Sequence, residues 1–336
     1  MRWYQILSAP VAGIYALVSI VRNGLYKTRL LHVSRVSVPT ICVGNLAVGG
    51  TGKTPFVEYL IRTLQNDYHV AVLSRGYKRK THGFVLADKT ATALTIGDEP
   101  IQIHSKFPHI PLAVCADRVH GIHQLQKLYP DIQVVILDDA YQYRRLKCGY
   151  YILLTAYDRL YIDDYFLPMG CLRDNKNESM RASAIVVTKC PETMRPIDQR
   201  IIDTKLHLPV FQQLCFSRIV YPELPAGKRV LLLTGIAHPE YLIEHVRKTC
   251  PSVQTMTYPD HYSFKTRDIQ LIAERADSVD VVLTTEKDYM RLKNMKLPPA
   301  LAKKLRPLPI SIEVLDDTNL IRQIHQYINE NLHSEK

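Results

Sequence analysis

The chain has 336 residues, of which 46% are hydrophobic and 22% are charged, and this suits a folded chain of one large domain or two. Such a composition excludes a disordered protein, a collagen-like protein and a membrane protein with many spans. The seven cysteines are odd in number and never form a C-x-x-C pair, so they indicate neither a disulfide framework nor a zinc ribbon. We therefore expect a reducing, cytosolic compartment.

The positive charge is concentrated near the N-terminus. The net charge is +11, and residues 1–57 contain six Lys or Arg but no Asp or Glu. Within this segment, Trp3 to Val21 is an uncharged, largely apolar stretch that lies between Arg2 and Arg22. As a helix it would be about 28 Å long, which is the lower limit for crossing a bilayer.

Three interpretations of this stretch compete. A secretory signal is disfavoured because no small-residue cleavage site follows it. A buried core helix is possible, since an apolar stretch need not contact lipid. The flanking cations favour a membrane-associated helix, either spanning or interfacial, with the basic flank on the cytoplasmic side.

Short β-branched runs alternate with helical stretches along the rest of the chain. Buried parallel strands are predicted at 40–43, 69–74, 111–116, 134–137, 151–156 and 184–189, with a crossover helix at 55–65. After a less regular stretch at 191–228, the alternation resumes. Strands are predicted at 229–235, 252–258 and 279–285, and helices at 239–248 and 267–276.

The strongest chemical signal is a glycine-rich loop between the first strand and the first helix. It matches the Walker A pattern, with Ala where the strict pattern has Gly. The predicted nucleotide-binding residues are Ala47, Val48, Gly49, Gly50, Thr51, Gly52, Lys53 and Thr54. The glycines let backbone N–H groups turn toward phosphate oxygens, and the helix N-terminus adds its positive end. Lys53 would reach the terminal phosphates, and the Thr54 hydroxyl would bind Mg²⁺.

A metal-binding acid is expected at the end of a neighbouring strand. Asp138 and Asp139 follow the apolar run 134–137. Because parallel strands end at the same edge of a sheet, this pair is expected to supply the second Mg²⁺ ligand. Two acids that simply cap a loop are the alternative.

Together these features predict an α/β fold like that of P-loop NTPases, with a mostly parallel sheet and helices on both faces. We expect residues 1–35 to form an N-terminal apolar helix with its basic flank. Residues 36–222 would form the P-loop core, and residues 223–336 a smaller C-terminal α/β lobe. The boundary near 222 follows from the change in pattern.

A phosphate loop predicts the nucleotide but not the phosphoryl acceptor. Two acids outside it are candidates for a general base: Asp98 in IGDEP, and Asp260, which precedes His261 in YPDHYSF. An Asp that is hydrogen-bonded to a His can accept the proton of a hydroxyl nucleophile. Each sequence taken alone is also typical of an ordinary turn.

Nine short motifs, in order, resemble those of one enzyme family. They are GNLAVGGTGKTP, SRGY, GDEP, ADR, LDDAYQYRRL, LPMGCLRD, TGIAHPE, YPDHYSF and TTEKD. Together they closely resemble the tetraacyldisaccharide 4′-kinases of lipid A biosynthesis, and they cover nearly the whole chain. The resemblance implies an ATP- and Mg²⁺-dependent transferase that phosphorylates the 4′-hydroxyl of an acylated glucosamine disaccharide 1-phosphate to give lipid IVA. The implied location is the cytoplasmic face of the inner membrane of a Gram-negative bacterium.

The resemblance also implies roles for individual residues. Asp98 would be the catalytic base and His261 its partner, in a cleft that closes between the two lobes. Thr54 and Asp138 would hold Mg²⁺, and Lys53 would stabilise charge on the transferred phosphoryl group. The implied substrate-binding residues are Arg75, Tyr77, Glu99, Arg118, Asp139, Gln142, Arg173 and Asp260. The family usually has Arg-Glu-Pro where this chain has Arg173, Asp174 and Asn175, which leaves the role of Asp174 open.

The implied substrate explains the N-terminal stretch. Extracting an acylated lipid from a bilayer costs about 0.8 kcal/mol per CH₂ group, so docking at the membrane surface is expected. No helix-turn-helix, zinc finger or RNA-binding motif indicates a nucleic-acid partner, and the oligomeric state is not indicated.

Two other functions fit a P-loop protein with this N-terminus. One is a membrane-associated NTPase switch without an organic phosphoryl acceptor. A GTP-specific switch would need an N-K-x-D motif, and the nearest match, TTEKD, lacks the asparagine. The other is a non-enzymatic scaffold that binds a nucleotide structurally and would tolerate loss of Asp98 and His261.

Overall fold

The computed structural model describes residues 3–224, 227–237, 239–250, 252–260, 262–293, 295–315 and 317–333. Within these residues the chain forms two sheets, one of nine strands and one of four. The larger sheet is parallel except for its two edge strands, and the smaller sheet is parallel throughout. The α/β fold predicted from the sequence is confirmed.

The strands are, in chain order, β1 (Thr40–Asn45), β2 (Val70–Ser74), β3 (Val85–Leu86), β4 (Leu112–Val114), β5 (Val134–Asp138), β6 (Tyr150–Ala156), β7 (Ala184–Thr188), β8 (Gln213–Val220), β9 (Val230–Thr234), β10 (Val253–Thr257), β11 (Val281–Thr285), β12 (Leu305–Leu308) and β13 (Ser311–Leu315). The larger sheet has the order β13-β8-β7-β6-β1-β5-β2-β4-β3, and the smaller has the order β10-β9-β11-β12. Each of the nine strands predicted from the sequence is present, with ends that differ by at most two residues.

The helices are α1 (Trp3–Lys27), α2 (Lys53–Leu64), α3 (Ala93–Ile96), α4 (Asp98–Lys106), α5 (Arg118–Leu128), α6 (Pro196–Leu206), α7 (Glu240–Thr249), α8 (Thr266–Asp277), α9 (Glu286–Leu292), α10 (Pro299–Lys304) and α11 (Thr318–His333). Two short 3₁₀ helices occupy Tyr161–Asp163 and Lys176–Arg181. The stretch 191–228, which the sequence predicts to be less regular, contains α6 and β8. Strand β8 is half-exposed along much of its length, so it lacks the continuous apolar run of the central strands.

The central strands of the larger sheet bury both faces. Alternate residues of β1 point to opposite sides: Ile41 and Val43 join one core, and Cys42 joins the other. The first core is completed by apolar side chains of α2, α4 and α11, and the second by those of α5 and α6. Helices therefore cover both faces, as the continuous apolar strands predict.

The end of the chain returns to the larger sheet. Strand β13 pairs antiparallel with β8, and α11 packs Leu320, Ile324 and Ile328 into the core beneath β1. The smaller sheet is therefore made from residues 230–308. The division into parts at 1–35, 36–222 and 223–336 stays a prediction.

Helix α1 extends six residues beyond the apolar stretch that the sequence indicates. One side of it is buried against the protein through Ala12, Ser19 and Asn23. The rest carries exposed apolar side chains: Leu7, Val11, Ile14, Leu17, Val18, Ile20 and Val21. Among the helices in the described part of the chain, none has both the length and the hydropathy needed to cross a membrane.

Candidate active site

The phosphate loop connects β1 to α2 and takes backbone conformations that glycine provides. Gly49 has φ 114° and Gly52 has φ 82°, both in the left-handed region. Helix α2 begins at Lys53, two residues before the predicted start. Pro55 therefore lies in the first helical turn, where its missing N–H breaks no hydrogen bond of the helix.

Side chains of two strands hold this loop in place. The Asn45 amide nitrogen, at the end of β1, donates to the Thr51 hydroxyl at 2.7 Å. The Thr188 hydroxyl, at the end of β7, donates to the Thr51 carbonyl oxygen at 2.9 Å. Lys53 leaves the loop with its ammonium 3.7 Å from the Asp139 carboxylate, and its side chain is only 13% exposed.

Asp138 is completely buried at the end of β5. One carboxylate oxygen accepts a hydrogen bond from the Ser74 hydroxyl at 2.9 Å. The other, Oδ1, has no hydrogen-bond partner among the described residues. Burial, with the negative charges of Glu99 and Asp139, raises the pKa of Asp138 to about 7. An unsatisfied buried oxygen on such a carboxyl is suited to a hard cation.

Asp139 follows in a left-handed conformation, with φ 47°, and its carboxylate turns toward two cations. It pairs with Lys53 and with the guanidinium of Arg173, whose Nη1 is 3.3 Å from Oδ2. Burial alone would raise the pKa of Asp139, but the charges of Lys53 and Arg173 outweigh it and lower the pKa to about 2. The pKa values of these two adjacent acids are therefore shifted in opposite directions.

Arg173 and Gln142 also hold the end of β1. The Nη2 of Arg173 donates to the Asn45 side-chain oxygen at 2.6 Å, and Gln142 donates to the Asn45 carbonyl at 2.6 Å. Arg118 is buried nearby and donates to the Ala116 carbonyl at 2.9 Å. Two of the predicted substrate-binding residues, Gln142 and Arg173, therefore also brace the end of β1, where the phosphate loop begins.

Helices α4 and α9 join the two sheets through charged pairs. Asp98 begins α4, and its carboxylate accepts a hydrogen bond from Arg291 Nε at 3.1 Å. Lys287 donates to Glu99 at 2.8 Å. Burial alone would raise the pKa of Glu99, but the charge and hydrogen bond of Lys287 outweigh it and lower this pKa.

A third pair lies further along the same two helices. Lys106 contacts both Glu286 and the buried Glu58 at 2.7 Å. The TTEKD motif therefore supplies Glu286 and Lys287 to the contact between the sheets. The sequence predicts no contact for Glu286, Lys287 or Arg291, although two charges directly after a strand end could have signalled one.

The structure places the predicted site residues as follows. Lys53, Asp138, Asp139, Gln142 and Arg173 come together at the carboxyl ends of β1 and β5. Glu99 is close enough for Lys53 to lower its pKa and for its own charge to raise the pKa of Asp138.

The other predicted substrate residues lie at the margin of this group. Arg75 and Tyr77 are exposed after β2, and the Tyr77 carbonyl lies 3.0 Å from where a Cβ on Gly97 would be, next to Asp98. Asp260 is exposed, and its charge contributes to a raised pKa of Lys287. His261 lies outside the described residues, so its pairing with Asp98 stays a prediction.

We expect Gly52→Ala to lower the thermal stability of the nucleotide-free protein. The nearest atom to a Cβ at this position, in Thr188, would be 3.9 Å away, so the added methyl group causes no clash. The loss of stability therefore comes from the left-handed backbone alone and should be about 1–2 kcal/mol. Gly50→Ala is the matched control, because a Cβ there meets nothing within 4 Å and its φ is not in the left-handed region. Differential scanning calorimetry of both variants measures the effect. Equal melting temperatures would contradict the strained geometry of Gly52.

Comparison with known proteins supports the resemblance found in the motifs. The model of the family Tetraacyldisaccharide-1-P 4′-kinase, LpxK, matches residues 4–329. The tetraacyldisaccharide 4′-kinase of Bacteroides thetaiotaomicron is 44% identical, over 96% of this chain and 93% of that protein. The same enzyme of Flavobacterium johnsoniae is also 44% identical, over 96% of this chain and 97% of that protein.

A solved structure agrees with both the fold and the sequence match. The crystal structure of LpxK from Aquifex aeolicus in complex with ATP superposes with a TM-score of 0.75 at 26% identity. The superposition covers 97% of this chain and 99% of that protein. Since the family model and the relatives match nearly the full length, the chain belongs to the tetraacyldisaccharide 4′-kinase family.

Proposed function

We propose that this protein transfers the γ-phosphoryl group of ATP to the 4′-hydroxyl of tetraacyldisaccharide 1-phosphate and so makes lipid IVA for lipopolysaccharide. The observation that carries the proposal is a second acid pair at the phosphate loop. Asp98 and Glu99 come from α4, a different element from the one that supplies Asp138 and Asp139. Because this second pair comes from a different element, it gives the site a candidate base for an acceptor hydroxyl.

The phosphate loop supports ATP as the donor. Residues 47–54 follow β1 and lead into α2, which is the arrangement that binds nucleotide phosphates. The structurally similar LpxK of Aquifex aeolicus was solved in complex with ATP. This match favours the kinase over an NTPase switch that uses GTP.

Two residues of this chain fit Mg²⁺. The Oδ1 of buried Asp138 has no hydrogen-bond partner within the described part of the chain, and Thr54, also buried, occupies the Walker A position for the metal. Both are the hard oxygen ligands that Mg²⁺ prefers. When bound, Mg²⁺ would neutralise charge on the phosphate oxygens.

The side chains of this protein would then perform the transfer. Asp98 accepts the proton of the 4′-hydroxyl as that oxygen forms its bond to the γ-phosphorus. The bond from the γ-phosphorus to the bridging oxygen breaks at the same centre, and ADP leaves. Lys53, held beside Asp139, stabilises charge on the transferred group. Arg291 orients the Asp98 carboxylate, and His261 is proposed to assist it.

The acceptor would lie between the two sheets, where α4 meets α9. Arg75, Tyr77, Glu99, Arg118, Asp139, Gln142, Arg173 and Asp260 are the proposed substrate-binding residues. Arg75 and Tyr77 are exposed after β2, and the Tyr77 carbonyl lies beside Gly97, so an arginine and an aromatic side chain are on the surface that a phosphorylated sugar would meet.

Helix α1 is proposed to hold the protein at the cytoplasmic face of the inner membrane. Its exposed apolar side chains, such as Leu17 and Val18, are more than 60% exposed, and Arg22 and Lys27 follow on the same helix. Apolar insertion combined with cations near anionic head groups is the arrangement of an interfacial helix.

We expect purified protein with ATP, Mg²⁺ and tetraacyldisaccharide 1-phosphate in mixed micelles to add one phosphate at the 4′ position, as measured by mass spectrometry. Asp98→Ala should lower the turnover rate by about 10² to 10⁴, the usual contribution of a general base, with little change in ATP affinity. Asp203→Ala, in an exposed acid of α6, is the control and should retain full activity. Nucleotide hydrolysis without transfer to the lipid would instead favour the NTPase switch.

Mg²⁺ binding should depend on pH because the pKa of Asp138 is raised to about 7. Below that value a proton competes with the metal, so Mg²⁺ affinity should fall by up to about tenfold per pH unit, whereas above it the affinity should be constant. Calorimetric titration with Mg²⁺ and ATP between pH 5.5 and 8.5 measures this. Asp138→Asn corrects for titration of ATP itself, and an identical pH profile in this variant would contradict the assignment.

Replacing Leu17 and Val18 with Gln should weaken binding to anionic phospholipid vesicles by about tenfold or more, since each loses apolar burial in lipid. These side chains are exposed, so the substitutions spare the contacts of α1 with the protein, which a deletion of the helix would remove. ATP affinity should be unchanged. Leu271→Gln, on the exposed side of α8, is the control. Vesicle sedimentation gives the result, and unchanged binding would argue against a membrane role of α1.

A further inference from the structure

Helix α1 is attached to the protein through a buried carboxylate. Asp174 is fully buried, and its Oδ1 accepts hydrogen bonds from the Ser19 hydroxyl at 3.0 Å and the Asn23 amide nitrogen at 2.6 Å. It also accepts one from the backbone N–H of Asn175 at 2.9 Å, and Arg22 lies 3.9 Å from Oδ2. A buried carboxylate is costly unless it is paired, so these contacts fix where α1 sits.

The neighbouring residue is attached to the nucleotide site. The Arg173 guanidinium bonds Asp139 and Asn45, while the Arg173 backbone N–H donates to the Leu46 carbonyl at 2.8 Å. The Tyr15 hydroxyl of α1 also donates to the Arg173 carbonyl, at 3.2 Å. Side chains of adjacent residues therefore point in opposite directions, one to α1 and one to the phosphate loop.

The segment around these residues also runs beside the phosphate loop. The Val48 backbone N–H donates to the Cys171 carbonyl at 2.8 Å, and Ala47 forms a β-bridge with Leu172. Residues 171–174, which we call the linking segment, thus contact the loop at its first two positions. Because the segment has only four residues, a displacement of one end is expected to move the other end as well.

We propose that Asp174 is a positioning residue that couples α1 to the ATP site through the linking segment. Fixing α1 would hold Arg173 against Asp139 and Asn45, and binding ATP would in turn hold α1. Asp174 touches neither the phosphate loop nor Asp98 in any described contact, so its effect on the reaction would be indirect. The membrane part of this inference, that a lipid surface is what fixes α1, rests on the proposed function.

The coupling can be tested by measuring ATP affinity in detergent, without vesicles or acceptor. Asn23→Ala should weaken ATP binding by about 5-fold or more, which is the lower end of typical coupling between sites. Asn23 lies on α1 and not in the phosphate loop, so this effect would have to be transmitted. Asp174→Ala should weaken it similarly, and the double variant should be no weaker than Asp174→Ala alone. Asp174→Asn, which keeps an acceptor oxygen, should retain most of the affinity. A merely structural role would lower the melting temperature without this pattern.

Gly13→Ala is the control on α1, because a Cβ at Gly13 meets nothing within 4 Å. Wild-type ATP affinity in the Asn23→Ala variant would overturn the coupling, as would full additivity in the double variant. The Asn23→Ala result decides the matter even where Asp174→Ala fails to fold.

A second measurement tests whether the membrane uses this coupling. Vesicles of phosphatidylglycerol should raise the ATP affinity of the wild type by about 5-fold or more, and ATP should raise vesicle affinity by the same factor, because linkage is reciprocal. Both effects should disappear in Asn23→Ala. Vesicle binding without any change in ATP affinity overturns coupling to the membrane. A wild type that does not bind vesicles instead removes the proposed membrane role of α1, and the affinities in detergent still decide the coupling.

Discussion

The parallel pairing of β1 with β5 is the constraint on which the candidate site depends. The register places Val43 opposite Asp138, so both strands end at the same edge of the sheet. One strand end leads into the phosphate loop, and the other ends in Asp138, the proposed Mg²⁺ ligand. A slip of one residue in this pairing would turn Asp138 to the opposite face. Every residue of both strands is buried, so such a slip would require both faces of the sheet to repack.

Charge balance then separates the roles of the two acids at this edge. Asp138 is buried near other negative charges, which raises its pKa to about 7. Asp139 is paired with Lys53 and Arg173, which lowers its pKa to about 2, so it is ionised at neutral pH. The same two cations are thereby held beside the phosphate loop before a nucleotide arrives. Preorganised charge of this kind need not reorganise during the reaction, which is how electrostatic stabilisation becomes effective.

Local sequence patterns predicted the elements and the nucleotide residues, because strand burial and the Walker A spacing are properties of short segments. They did not predict Arg291 beside Asp98 or Asn23 on Asp174, since those partners are 193 and 151 residues apart in sequence. Nor did they indicate that β13 rejoins the larger sheet, because a half-buried edge strand carries little signal. The family motifs indicate candidate site positions but not what each side chain contacts.

The nucleotide site is therefore held by contacts from two separate parts of the chain. The smaller sheet reaches Asp98 and Glu99 through α9, and α1 reaches Asp139 through Asp174 and Arg173. An enzyme whose acceptor is anchored in a bilayer and whose donor is dissolved in the cytosol must bring both to one place. Attaching α1, the helix proposed to contact lipid, to Asp139 and the smaller sheet to Asp98 and Glu99 would meet that requirement. The catalytic geometry would then be complete only when α1, the smaller sheet and the nucleotide are all in position.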